Sequence, residues 1–540
     1  MKKYILHKKS WLALLVLSTT VTIACESVFA LLMKDIIDKI YDTEVQKLMY
    51  QLPLYLGYIT IMIFFSYLNT KIIIRYVEMI MYELRNDLFS SVLSNNIDEF
   101  GEKKLGDYIS LFNNDLDMIE NDCFLNVFYI YGNAVGIILQ VFIGAYINFK
   151  LTLIVIFVCG LILLFPAAFT RYIERKRGNL LEAYELMNGH LNNYLSGFEY
   201  IKISVLEDLI VRKFEKSLHN LEEKKFKFSS ANNMVQSLLK ILSLSVIILI
   251  LVLGAIFVDK AYLSIGGLVA ILQIYSSIFQ MISELAYKIN NYFTAKPAIE
   301  KVANYLNHRI EKRKATEIMS VQNIAFKKVS FSYGNQIIMK DCNVNFLKGK
   351  KYAIIGESGS GKSTMVNMIL RKIIPDSGSI LINNYDYKEI QGLYKHIGYV
   401  AQNIFLFNDT LQFNIDLGKP GQNINSLLYE FDLNQFVDTD LEDIIIKEAA
   451  VNLSGGEKQR IAILRELLKA KEVLITDEAT SNMPIDQSVK IYEYLLKQKD
   501  QMLICIIHNY TEELLQKFDY VIEVKNGEFK IKNVVTNQRN

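Results

Sequence analysis

Charge is scarce in this chain. Asp, Glu, Lys and Arg make up 21% of 540 residues, against 51% apolar residues and a mean hydropathy of +0.20. An ordinary soluble enzyme of this length is not so apolar. The charges also nearly cancel, at a formal net of +2, which leaves no electrostatic basis for binding nucleic acid. Proline is rare, with six residues and no Pro-rich linker. The five cysteines, Cys25, Cys123, Cys159, Cys342 and Cys505, contain no CxxC pair. That spacing excludes a zinc framework or a disulfide scaffold, so they read as isolated buried thiols.

What the chain has instead is long apolar runs, all before residue 290. They cover residues 11–33, 52–70, 124–148, 151–170, 241–258 and 265–285. A helix needs about 20 apolar residues to cross a bilayer. The second, third and fourth runs carry no charge at all, which points to six membrane spans. The opening "MKKYILHKKS" is basic and precedes an apolar run, as in a signal peptide; without a clear cleavage site it reads as a retained first helix. The first span begins at residue 11, so cleavage of a leader peptide by this chain is not expected. The gaps after the second and fourth spans are long and rich in Lys and Arg, as in "RYIERKRGN" and "EEKKFKF". Positive charge marks the cytoplasmic side, so the N-terminus and both long gaps belong there. Helical periodicity in those gaps predicts helices that continue well beyond the lipid.

From about residue 322 short β-like runs alternate with glycine turns and amphipathic helices, the texture of an α/β domain. The division is therefore 1–290 for the membrane domain, 291–321 for a helical extension and charged linker, and 322–540 for the α/β domain. "YAIIGESGSGKST" sets an apolar strand before Gly356, Glu357, Ser358, Gly359, Ser360, Gly361, Lys362, Ser363 and Thr364. The pattern G-x-x-x-x-G-K-S between a strand and a helix cradles phosphates with backbone N–H groups. Lys362 reaches the terminal phosphates and Ser363 ligates Mg²⁺. "VLITDEATSNMPID" ends another buried strand with two adjacent carboxylates. Asp477 suits a Mg²⁺ ligand, and Glu478 suits the group that orients the attacking water. Thr476 stands where an aliphatic residue is more usual, and its hydroxyl needs a partner.

"NLSGGEKQR" makes the pattern specific. With it the sequence resembles an ABC transporter half-molecule of the exporter type across nearly its whole length. The implied fold is multidomain: an all-α six-helix transmembrane domain followed by an α/β P-loop NTPase, the ABC ATPase domain. The resemblance implies that Leu453, Ser454, Gly455, Gly456 and Glu457 bind the γ-phosphate of ATP held by the opposite subunit. It implies adenine stacking for Tyr333, Mg²⁺ contact and coupling for Gln402, and γ-phosphate contact for His508. "KLGDYISLFNNDLDMIE", with Gly106 and Asp115, and "GFEYIKISVLED", with Gly197 and Glu207, resemble segments that dock onto ATPase domains. Two departures stand out. The family usually continues Ser-Ala-Leu-Asp where this chain has Ser481, Asn482, Met483 and Pro484, with Asp486 two residues on. "IKEAAVN" keeps Glu448 but lacks the glycines usual before the signature.

The resemblance further implies ATP and Mg²⁺ as ligands and an obligate dimer in the lipid bilayer with a second half-transporter: a homodimer fits the intact Glu478 and signature, and the altered Pro484 loop leaves room for a heterodimer. The Lys-, Ile- and Asn-rich composition suggests a bacterial plasma membrane. The expected cargo, whose identity the sequence leaves open, is a peptide or small amphipathic molecule. Glu26, deep in the first span, suits a cationic cargo or a proton as well as a purely wet cleft; Glu284 lies near a helix end. An importer on the same scaffold and an ATP-switched membrane regulator are the alternative readings.

Overall fold

In this computed structural model the described residues are 1–94, 97–101, 103–308, 316–334, 336–418, 424–437, 439–447 and 450–533, so Glu448 lies outside them. The chain divides into two compact units: Met1–Leu93 with Leu105–His308, and Ser94–Lys104 with Arg309–Asn540.

The first unit is helical. Its main helices are α1 (Lys9–Tyr41), α2 (Val45–Leu93), α3 (Asn126–Leu164), α4 (Thr170–Ser196), α5 (Glu207–Asp259) and α6 (Ile265–Thr294). Among the described residues, α1, α2, the helix containing α3, α5 and α6 are long and apolar enough to cross a membrane. The helix α3 holds two of the six apolar runs. It breaks at Asn148, whose backbone is extended (φ −157°, ψ 108°). Asn148 Oδ1 then accepts from Leu151 N at 3.1 Å, which caps the second arm. The two arms account for the third and fourth expected spans. The fourth run was read to residue 170, but α3 ends at Leu164 and Pro166–Phe169 forms a 3₁₀ turn. Proline lacks the N–H that would continue the helix and disfavours helical geometry before it.

In α5, 53 residues correspond to about 80 Å, far more than a hydrocarbon core of about 30 Å, as the periodicity of the basic gaps requires. Several polar groups within the spans find partners across helices, because lipid supplies none. Asn69 of α2 accepts from Ser18 and Thr19 of α1, each at 2.9 Å. Thr20 and Tyr131 join their hydroxyls at 2.9 Å. Residues 105–125 run through π-helical turns and bury Leu111, Leu116, Ile119 and Phe124 in the core of this unit. Asp115 there pairs with Lys301 at 2.6 Å. The other expected docking segment is a short helix, Phe198–Ile203, between α4 and α5, and its Phe198, Tyr200, Ile203 and Val205 are exposed.

The second unit is built on two main sheets, beside a two-residue parallel pairing of Thr316–Glu317 with Ile390–Gln391. Its strands are β1 (Asn323–Tyr333), β2 (Gln336–Leu347), β3 (Lys351–Gly356), β4 (Ser377–Ile382), β5 (Tyr385–Asp386), β6 (Ile397–Val400), β7 (Val473–Asp477), β8 (Met502–Ile506), β9 (Tyr520–Lys525) and β10 (Glu528–Asn533). Six of them form a sheet in the order β10-β9-β3-β8-β7-β6, parallel except for the β9–β10 edge. An antiparallel sheet follows the order β2-β1-β4-β5. Every residue of β7 and β8 is buried. That explains why both read as unbroken aliphatic runs rather than alternating ones: helices cover both faces of a parallel sheet. All five cysteines are free thiols; four are buried and Cys25 is half-buried.

Candidate functional site

Strands β3 and β7, one strand apart in the sheet, direct their C-terminal ends to the same edge, where α/β sheets bind ligands. Beyond β3 the loop from Gly356 to Gly361 turns into helix α7 (Lys362–Ile369). Gly361 has φ +106°, and a Cβ there would come within 2.9 Å of Ile338 O, so the turn requires glycine. Lys362 is buried and its ammonium folds back onto the loop, donating to Gly356 O at 2.8 Å and Glu357 O at 2.7 Å. Burial depresses its pKa, while the charges of Glu478 and Asp477 oppose that shift. Ser360 Oγ is buried with no partner in the loop. An orphaned hydroxyl, a sequestered ammonium and a helix N-terminus together fit a polyphosphate. A cleft of about 310 Å³ adjoins the loop, lined by Gln336, Ser358, Ser360 and Asn526 among others.

Ser363 Oγ donates to Asp477 Oδ1 at 3.2 Å, so the two groups expected to hold Mg²⁺ already share one position. Burial raises the Asp477 pKa, and the neighbouring Glu478 charge adds to the rise; Ser363, Lys372 and Lys362 oppose it. Tyr399, beside Asp477, is pushed up to about 12 by burial first and then by that carboxylate. A divalent cation would relieve the desolvated carboxylate, and a hard ion suits these oxygens. Among the described residues no group of three or more His, Cys, Asp or Glu side chains converges on a metal position. The remaining ligands of a Mg²⁺ at Ser363 and Asp477 would be the Gln402 amide oxygen and phosphate and water oxygens.

Glu478 has φ +50°, an uncommon conformation for a glutamate, and is held by its N–H on Ile506 O at 3.2 Å. Gln402 Nε2 donates to Glu478 Oε2 at 2.8 Å, so these two expected residues do meet. His508 follows β8, is exposed, and lies 3.3 Å from Asn509 Oδ1 through Nδ1. Tyr333 is exposed at the end of β1, its ring edge-on to Phe331 at 4.9 Å. Thr476 Oγ1 is buried beside its ladder neighbour Cys505, whose thiol interacts with it.

The segment Leu453–Glu457 opens helix α8 (Gly455–Leu468). Ser454 caps it: its Oγ accepts from Glu457 N at 3.3 Å, and Glu457 Oε2 accepts from Ser454 N at 2.6 Å. Gln435 also donates to Glu457 Oε1. Despite partial burial, these bonds hold the Glu457 carboxyl below the usual range. Ahead of α8, Ala450 has φ +50°. An alanine thus takes the left-handed turn for which glycine was expected.

Pro484 precedes helix α9 (Ile485–Leu496) at the capping position and gives it no side-chain cap. Asp486 lies in the first turn of α9, where it favours the helix dipole but does not cap. Sequence reasoning passed over Gln459. It is buried, and both ends of its amide hold the loop after Glu478: Nε2 donates to Ser481 Oγ at 3.1 Å, and Oε1 accepts from Asn482 N at 3.1 Å. Its place one turn into α8 was legible, but its distant partner was not.

Comparison with known proteins follows the same division. The family model "ABC transporter transmembrane region" matches residues 11–283, just over half the chain, and "ABC transporter" matches 339–481. The uncharacterized ABC transporter ATP-binding protein YfiC of Bacillus subtilis is 26% identical over 83% of this chain and 76% of its own. A putative export ATP-binding/permease protein of Rickettsia felis is 28% identical over 86% and 82%. The structure of a bacterial Atm1-family ABC exporter with ATP bound superposes with TM-score 0.77 at 17% identity, covering 98% of this chain and 96% of that one.

Proposed function

The chain belongs to the ABC transporter family, as a multi-pass membrane protein that couples ATP hydrolysis to transport, and from that premise we propose a homodimeric exporter of the bacterial plasma membrane. Its boundaries are taken as 1–290 for the membrane domain, 291–321 for the linker and 322–540 for the ATPase domain, with the N-terminus and the ATPase domain cytoplasmic. The cargo is a peptide or small amphipathic molecule. The relatives named for export support the direction, and the Lactococcus lactis lactococcin-G processing and transport protein, 30% identical over 66% of this chain and 53% of its own, supports peptides.

One observation carries the reading: a glycine-rich phosphate loop, the Ser363–Asp477 pair and the Gln402–Glu478 pair meet at one sheet edge in a chain with apolar spans. In the proposed site Tyr333 stacks on adenine, residues 356–364 wrap the phosphates, and Lys362 leaves its loop carbonyls for the β- and γ-phosphates. Mg²⁺, held by Ser363, Asp477 and Gln402, would neutralise charge developing on the γ-phosphate. Glu478 holds the attacking water with its carboxylate, and His508 donates to the γ-phosphate. The partner subunit supplies the segment Leu453–Glu457, whose Ser454 hydroxyl and helix N-terminus face the same phosphate. Closure of the two ATPase domains biases the membrane helices between two states. The exposed apolar tip at Phe198–Ile203 is the proposed docking surface that transmits it.

The test is ATP-dependent uptake of a fluorescent amphipathic peptide into inside-out vesicles. Accumulation with the wild type and none with Glu478→Gln supports export. Efflux from preloaded inside-out vesicles would show an importer, and an ATPase indifferent to every cargo would show a regulator.

A further inference from the structure

Each subunit touches both composite ATP sites of a sandwich dimer, one through Glu478 and one through the start of α8. The structure assigns Gln459 as the positioning residue that joins these two surfaces within one subunit; this rests on the sandwich reading above. Three observations carry it.

First, Gln459 is buried at 1% exposure, and its amide is used in both polarities on consecutive residues, Ser481 and Asn482. A buried amide satisfied at both ends fixes its partners tightly, because any displacement leaves a polar group unpaired. Second, the gripped loop leads straight to the hydrolytic carboxylate. Ser481 N donates to Glu478 O at 3.1 Å, and Met483 N donates to Thr480 O at 3.1 Å, so residues 478–483 form one tight turn. The left-handed backbone of Glu478 is held on one side by Ile506 O and on the other by that turn. Third, the other end of the connection is the phosphate-facing end of α8. Gln459 lies one turn beyond Gly455, and Asn482 lies beside Gly455 and Gly456. Arg460 adds a bond to Gln487 of α9 at 3.3 Å.

An α8 shifted by the partner's nucleotide therefore carries the loop, and with it Glu478, as one body. The connection runs inside one chain. It would give a chain with Pro484, which cannot donate a backbone hydrogen bond, a route between its two sites that does not use that position.

Full-length dimers in nanodiscs provide the test. Gln459→Met removes both bonds at similar volume, and Gln459→Glu keeps the acceptor for Asn482 while losing the donor to Ser481. Three quantities are read: the Hill coefficient of ATP hydrolysis, kcat, and the ATP concentration for half-maximal closure of ATPase domains in a Glu478→Gln background. We expect a Hill coefficient above unity in the wild type that falls to unity in Gln459→Met. We also expect kcat to drop about tenfold with half-maximal closure moved less than about threefold, and Gln459→Glu to lie between. An unchanged Hill coefficient overturns the assignment, as does a wild type without cooperativity, or turnover and closure lost in equal measure, which a merely structural role would give. The sandwich reading fails separately, if the Glu478→Gln protein does not close with ATP at all.

Discussion

At the scale of single residues, the site couples costly placements to their use. Asp477 is the clearest case. Burial raises its pKa, so folding favours its protonated form. The resulting penalty is absent below the ordinary carboxylate pKa and complete above the raised one. Asp477→Asn should therefore raise the melting temperature of the nucleotide-free protein at pH 8. The gain should shrink as pH falls towards 4, and Mg²⁺-dependent hydrolysis should be lost throughout; thermal unfolding across pH measures it. Glu478→Gln should keep ATP binding and lower turnover by about two to four orders of magnitude, read by single-turnover hydrolysis. Glu457 brings an anion to a helix N-terminus meant for the partner's phosphate, and its two hydrogen bonds keep it ionised. Glu457→Gln preserves an acceptor for Ser454 N and removes the charge. It should lower the ATP concentration for closure about two- to fivefold, from a terminal charge effect of about 0.3–1 kcal/mol.

At the scale of elements, the C-terminal end of α1 and the start of α6 are tied by one carboxylate. Asp38 accepts from Gly266 N at 2.8 Å and from Ser264 Oγ at 2.9 Å, satisfying donors at the start of α6. A Cβ on Gly266 would come within 2.2 Å of Lys34 O, so Gly266→Ala must push the two helices apart. We expect a loss of about 1–3 kcal/mol from overpacking, and about 1 kcal/mol from Asp38→Ala, both seen as lower melting temperatures in detergent. Much at this scale was legible beforehand, because hydropathy and period report burial directly. The buried strands β7 and β8 and the two arms of α3 are examples. Most of what escaped has a non-local cause, with Pro166 the exception. Pro166 ended the fourth run early through a local rule outweighed by apolarity. The π-helical turns at 111–115 and 119–125 share a buried cluster with Val302 and Tyr305, which no window around residue 115 contains. Ala450 takes a left-handed conformation that its residue type does not announce. Gln459 matters through residues 22 and 23 positions away.

At the scale of the whole molecule, the account requires that the phosphate loop and the Ser454 segment of one ATPase unit each serve a different nucleotide. Dimerisation is then part of the chemistry. The direct measurement is complementation. Subunits carrying Lys362→Ala and subunits carrying Ser454→Arg, each inactive as a homodimer, are mixed, allowed to reassemble and assayed for ATP hydrolysis in nanodiscs. Sites shared between subunits leave one intact site in each mixed dimer, so activity should recover to about a quarter of wild type. A mixture as inactive as its parents would contradict the shared site and the mechanism built on it.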